Sequence, residues 1–224
     1  MKILSAVSDI VWGWPLIILL FGTHLFLTFR LKWIQKYIGT AIRMSLQKTG
    51  EGRGDVGHFG ALTTALAATI GTGNIVGVAT AIALGGPGAV LWMWLTGVFG
   101  IATKYGEAVL SIKYRVKTHK GHFAGGPMYV MQLGLKSKWM AVFFAVFTAI
   151  AAFGIGNTVQ ANSIASLVQE TFHISPWISG AVMTFLTALV ILGGIQSISR
   201  VCEMLVPFMA ISYCAGCLAI LIMG

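Results

Sequence analysis

Apolar residues in this chain come in long blocks, and the charged ones gather at the block ends. The first block, Ile10 to Phe29, is closed by Arg30 and Lys32. A block of about 20 residues predicts a helix able to cross a hydrocarbon core. It is too long for a signal-peptide core, only Lys2 precedes it as a basic residue, and no small-x-small cleavage site follows, so the helix is expected to be retained. From Leu31 to Gly50 the pattern changes. Leu31, Ile34, Ile38 and Ile42 share one helical face while Lys32, Lys36 and Arg43 lie on others, which predicts a helix lying in the membrane interface. The stretch "KTGEGRGDVG" is a hydrophilic loop. A second apolar block, Phe59 to Leu84, meets the turn "GGPG", and a third follows over about 89–112. After a basic loop, Lys113 to Lys120, "GGPMYVMQLGL" reads as a short helix or re-entrant piece. Further spans are expected at about 139–168, 176–194 and 201–223, giving six in all.

Composition agrees with the pattern. Of the 224 residues 57% are hydrophobic and 9% charged, with a mean hydropathy of +0.85. Soluble domains carry about 25% charged residues, so this chain cannot cover a water-facing surface. A transmembrane barrel would show short alternating segments, which are missing. The reading is an all-α polytopic membrane protein. The net charge of +9 sits at block ends, as orientation signals do, and no aromatic-studded basic stripe points to nucleic acid. With the N-terminus outside, the inner segments collect Arg30, Lys32, Lys36, Arg43, Lys48, Arg53, Lys104, Lys113, Arg115, Lys117, Lys120, Lys136, Lys138 and Arg200. Only Lys2 falls outside, so the positive-inside rule fixes that orientation. The chain stops at "ILIMG", directly at the close of a span, which raises the expectation of a longer parent chain.

The second block poses a problem. Unbroken, a helix over 59–84 would measure about 39 Å at 1.5 Å per residue, more than a core of roughly 30 Å. Gly71, Gly73 and Gly77 weaken it near its centre by roughly 1 kcal/mol each relative to Ala. Unwinding is therefore cheapest at Gly71-Thr72-Gly73-Asn74. Backbone groups freed there cannot face lipid unsatisfied, and they are tolerated where they line a cavity. Carbonyls closing the first half, about Ala67 to Ile70, suit a cation; N–H groups opening the second half, near Thr72 to Asn74, suit a carboxylate. Asn74 adds an amide oxygen for a hard cation. This is the broken-helix arrangement of secondary transporters. On the glycines alone the simpler reading is packing, because Gly73-x-x-x-Gly77 is also a helix-association motif. A phosphate loop and a dinucleotide fingerprint both fail on the residues present.

Other polar residues lie within the blocks. Asn157 and Gln160 are i and i+3 neighbours on one face, preceded by Gly154 and Gly156, which would admit another backbone. They could read a ligand's ammonium or carboxylate, or bond another helix. Lys104 with Glu107, and Arg200 with Glu203 before the sixth span, read as structural ion pairs. His24 reads as packed or snorkelling, and Trp92 and Trp94 as packing or an interfacial belt. Cys202, Cys214 and Cys217 share one apolar segment and read as small packing residues, since neither a βαβ context nor a second ligand pair accompanies Cys214-x-x-Cys217. No catalytic constellation emerges, so no enzyme activity is expected.

"GALTTALAATIGTGNIVGVATAIALGGPGAVLWMWLTGVFGIATKYGEAVLSIKYR", residues 60 to 115, resembles the signature region of the alanine/glycine:cation symporter family, the sodium:alanine symporters. "GGPGAVLWMWLTG", "GGPMYVMQ" and "GIGNTVQANSIA" extend the likeness over most of the chain. The resemblance implies a leucine-transporter-like architecture of two inverted five-helix repeats with one extra helix in front. Residues 1–30 would be the extra helix, 31–58 the cytoplasmic interfacial helix and loop, and 59–224 the first repeat. The second repeat would be missing and would belong to the C-terminal half of the same chain. The implied activity is sodium-coupled symport of a small neutral amino acid, alanine or glycine, across the cytoplasmic membrane. Thr72, Gly73 and Asn74 would meet the substrate's carboxylate, with Gln160 and Asn157 beside it. By analogy with the wider fold, carbonyls of Ala67 and Ile70 would hold sodium, and Thr69 with Asn74 the substrate-proximal region; no organic cofactor is implied. The rival readings are a pore subunit, for which no filter or charged ring is seen, and a non-transporting membrane scaffold.

Overall fold

The computed structural model describes residues 2–46, 54–119 and 121–223. Lys48, Arg53, Lys120 and most of the hydrophilic loop therefore lie outside the described residues. The chain divides into two compact units, one of residues 1–41 and 78–145 and the other of 42–77 and 146–224.

In the first unit, α1 (Lys2–Val11) and α2 (Trp14–Arg30) form the N-terminal segment, with Pro15 in the first turn of α2, where its missing N–H costs nothing. Left-handed backbone at Lys32 and Trp33 ends that run, and a 3₁₀ turn, Ile34–Tyr37, leads into α3 (Ile38–Ser45). The expected interfacial helix thus begins later and in two pieces. Helix α5 (Val78–Gly85) turns into α6 (Gly88–Lys113), which packs along α2. His24 on α2 is buried, its Nδ1 2.7 Å from Thr103 Oγ1 on α6. Gln35 Nε2 donates to Thr28 Oγ1 and to Val98 O, 3.1 Å each. Phe21 meets Trp92 edge to face. The basic loop contains a small antiparallel hairpin, β1 (Val116–Lys117) with β2 (Phe123–Ala124), where Arg115 lies over the Phe123 ring. "GGPMYVMQLGL" folds as α7 (Pro127–Tyr129) followed by a π-helical stretch, Val130–Gly134.

The second unit holds α4 (His58–Thr69), a π-helical turn over Gly73–Gly77, a longer π-helical stretch over Ala152–Thr158, α9 (Val159–Phe172), α10 (Pro176–Leu192) and α11 (Gly194–Met223). Helix α8 (Lys138–Ala151) runs into the longer π stretch and α9 without a break, 35 residues in all. Helix α11 lies along α4, and α10 packs on both α9 and α11. The α4–α11 approach depends on Gly60, where a Cβ would run into the Ser199 hydroxyl and the Glu203 carboxylate. Ser199 Oγ lies 3.3 Å from Glu203 Oε1. Helix α11 already includes Arg200 and Glu203, so the expected ion pair is corrected: Glu203 takes a hydroxyl one turn earlier instead of Arg200. Lys104 and Glu107 do pair, at 3.2 Å and largely exposed.

Among the described residues the buried apolar side chains are Ala102, Ala141 and Val206, while Trp177, Phe153 and most of the leucines and isoleucines point outward. That inversion of the soluble pattern marks surfaces made for lipid or for more protein. Among the described residues three helices are long and apolar enough to cross a membrane, at Ala6–Arg30, Lys138–Phe172 and Gly194–Met223. A fourth span results if His58–Thr69 and Gly73–Gly85 count as one broken span. Helix α10 is apolar but only 17 residues long. Helix α6 has 26 residues, but its Trp, Gly and Thr residues and Lys104 dilute it.

Candidate functional site

The break in the second apolar block lies at Ile70. Its backbone is extended, φ −84° and ψ 109°, and its N–H closes the last turn of α4 on Leu66 O at 2.8 Å. An α-helix leaves its last four carbonyls without intrahelical donors. With Leu66 O satisfied, Ala67, Ala68 and Thr69 carry the free ones. Across the break the Asn74 N–H bonds to Gly71 O at 3.0 Å, opening the π-helical turn. Within these residues the packing reading of the motif glycines finds no support. A Cβ at Gly73 or Gly77 would meet nothing within 4 Å, and the same holds for Gly154 and Gly156.

Gly71 behaves differently. A Cβ there would lie 3.2 Å from Gln160 Nε2 and 3.7 Å from its Oε1, tighter than ordinary packing on the amide nitrogen. The missing side chain thus lets the Gln160 amide reach the backbone of the break. Gln160 stands in the first turn of α9, directly after the π-helical stretch that carries Asn157. A π-helical stretch widens the helix by one residue per turn, and such insertions recur at functional sites. Here the Thr158 hydroxyl helps hold it by donating to Gly154 O.

Two open cavities flank this stretch. One, of about 570 Å³, runs along Asn157, Gln160, Gly180, Met183 and Thr187. The other, of about 620 Å³, is lined by Thr64, Ala67 and Ala68 of α4, by Asn157, by Leu186 and Thr187 of α10, and by Cys202 of α11. Asn157 faces both.

The structure therefore brings Gln160 to the break beside Gly71, and sets Asn157 and Ala67 around one cavity. Other expected residues stand apart. The Thr69 hydroxyl turns back to Ala65 O at 2.8 Å. Asn74 is exposed and its side chain makes no hydrogen bond among the described residues. Thr72 and Gly73 contribute backbone at the start of the turn. Thr64 and Thr187, which the sequence pattern does not single out, line the same cavity as Ala67; Thr64 is i, i+3 to Ala67, so its register places it on the cavity side. No cluster of acidic, histidine or cysteine side chains able to hold a metal occurs among the described residues. The donors on offer are neutral oxygens and helix-end carbonyls, a set that suits a hard cation and disfavours a transition metal.

Comparison with known proteins bears on the chain as a whole. The model of the sodium:alanine symporter family matches residues 1–224. Over 230 residues the chain is 50% identical to the sodium/alanine symporter AgcS of Methanococcus maripaludis, covering 100% of this chain and 51% of that protein. It is also 50% identical to an uncharacterized transporter of Haemophilus influenzae, over 100% of this chain and 49% of the relative. A probable sodium/glutamine symporter, GlnT of Bacillus subtilis, is 34% identical over 94% of the chain and 44% of its own length. The chain thus spans about half the length of these relatives.

Proposed function

The chain belongs to the sodium:alanine symporter family, and on that premise we propose that it supplies one wall of a site for a small neutral amino acid and the sodium that drives its uptake. The parent protein would be a multi-pass protein of the cytoplasmic membrane, with its N-terminus outside and the other wall supplied by its C-terminal half. The observation that carries the reading is the approach of Gln160 to Gly71 at the extended residue that breaks the helix. An amide side chain and freed backbone groups then share one spot in an apolar segment, where unpaired polar groups are expensive.

In this reading the N–H groups near Thr72, Gly73 and Asn74 take the substrate's carboxylate. Gln160 and Asn157 orient its charged end. Sodium is held by carbonyls of Ala67 and Ile70, with Thr69 and Asn74 nearer the substrate. The Thr69 hydroxyl is occupied on its own helix, so its contribution reduces to the carbonyl. Relatives sharing this half carry names for alanine and for glutamine. We therefore assign to this half the amine and carboxylate common to both, and leave the choice of side chain to the remainder. Glycine is the next substrate to try. Bound at adjoining ends of one broken helix, ion and carboxylate would each raise the other's affinity, as linkage requires.

The test uses the complete protein in liposomes. Labelled alanine uptake should require an inward sodium gradient, fall to background when potassium replaces sodium at the same pH, and disappear in Asn74→Leu. Uptake indifferent to sodium would reassign the ion. Intact uptake in Asn74→Leu would remove Asn74 from the site, and no uptake of alanine or glycine by well-folded protein would return the chain to the scaffold reading.

A further inference from the structure

Hydroxyls inside apolar helices are normally satisfied by the carbonyl one turn earlier. This chain follows that habit repeatedly: Thr23 bonds Leu19 O, Thr63 bonds Phe59 O, Thr69 bonds Ala65 O, Thr96 bonds Trp92 O and Thr184 bonds Gly180 O, all at 2.6 to 3.0 Å. Thr64 breaks it. Its hydroxyl is buried and has no hydrogen-bond partner among the described residues. The carbonyl it would use, Gly60 O, already accepts from the Thr63 hydroxyl at 3.2 Å. Thr64 instead lines the 620 Å³ cavity together with Asn157 and Thr187. A buried hydroxyl left open is uncommon in native structures, and one that lines a cavity is available to a small guest.

We infer that this cavity is a way-station for a monovalent cation, held by the side-chain oxygens of Thr64, Asn157 and Thr187 on the His58 side of the helix break. Two further observations favour a cation over a neutral or anionic guest. Ala67 and Ala68 on the same wall belong to the last turn of α4, the end that carries negative partial charge. The polar groups contributed by the three named side chains are neutral oxygens and one amide, and the rest of the lining is Ala, Leu, Val, Ile and Cys202. A neutral oxygen set binds an ion weakly enough to release it, as a station on a path must. The inference rests on the sodium-coupled reading and deepens it: the ion would pass along α4, from the carbonyls at the break to Thr64 nearly two turns before it.

Cys202 in the cavity wall provides a reporter independent of transport. In the complete protein carrying Cys214→Ala and Cys217→Ala, sodium should slow the reaction of Cys202 with a cationic methanethiosulfonate several-fold relative to N-methylglucamine. It should leave the reaction with an anionic reagent equal or faster, because only a nearby positive charge separates the two reagents. Thr64→Val, matched in shape, should shift the sodium concentration for half protection upward about tenfold, the loss of one hydrogen bond or ligand to a charged group. Thr64→Ser should keep it. Equal slowing of both reagents would mean a closure of the cavity and would overturn the station. So would an unreactive Cys202, or Thr64→Val protected as well as its parent, which would leave Thr64 bonded to water. If alanine uptake proves independent of sodium while charge-selective protection persists, the transport reading fails and the station stands.

Discussion

Two polar clusters sit inside apolar helices of this chain, one in each unit, and they are built differently. In the first unit His24 meets Thr103 at 2.7 Å, and Gln35 donates to Thr28 and to Val98 O; Thr28 is fully buried. These groups bridge α2 and the segment after it to α6, and the bonds they make are to protein, although the buried Gln35 Oε1 has no partner among the described residues. In the second unit the polar groups around the break leave capacity unused. Among the described residues the Thr64 hydroxyl has no hydrogen-bond partner, Asn74 is exposed, and carbonyls at the end of α4 lack intrahelical donors. The contrast teaches how to separate glue from site among membrane polar residues. A group that finds its partner in the protein contributes about 0.6 to 2 kcal/mol to helix association. One that stays open and also lines a cavity, as Thr64 does, is free to take a partner from it.

Substitutions can break that contrast, and the largest effect is expected at Asn74. Asn74→Leu should abolish sodium-dependent alanine uptake while leaving the melting temperature nearly unchanged, since the side chain bonds nothing in the described residues. Gly71→Ala comes next. Its methyl would displace the Gln160 amide, and uptake should fall about tenfold to a hundredfold, the loss of one or two hydrogen bonds to a charged ligand. Gln160→Ala on top of Gly71→Ala should cost little more, because the first change has already removed that amide. A double-mutant cycle that is purely additive would mean the two do not meet.

Gly60→Ala tests the glue side. The added methyl runs into Ser199 and Glu203, and overpacking of this kind costs about 1 to 3 kcal/mol. A clear drop in thermal stability is expected, relieved in part by Ser199→Gly. His24→Leu removes one partnered bond between α2 and α6 and should lower stability by about 1 kcal/mol with no change in the sodium concentration for half-maximal uptake. Smallest is Thr69→Val. Its hydroxyl only returns to its own helix at Ala65 O, so stability and sodium dependence should both stay within error of the parent. A sodium defect in Thr69→Val would place the hydroxyl in the ion site after all.

Much of the fold can be read from the order of residues, because block length and block-end charge act locally. Apolar blocks give helices, "GGPG" gives the turn before α6, and Gly71 to Asn74 give the weak centre of one helix. The helix break was legible for the same reason: a helix too long for the bilayer with glycines in its middle has one economical place to unwind. What local pattern does not contain is which hydroxyl is already taken and which helix lies across from a glycine. Arg200 and Glu203 have ion-pair spacing, yet Glu203 turns to Ser199 beside Gly60. Gly73 and Gly77 have packing spacing, yet Gly71 is the glycine approached by another side chain. Two threonines stand side by side at 63 and 64. Only the fold shows that Thr63 takes the carbonyl while Thr64 is left facing the cavity. Partner choice between helices depends on contacts far apart in sequence, and those exist only once the helices have packed.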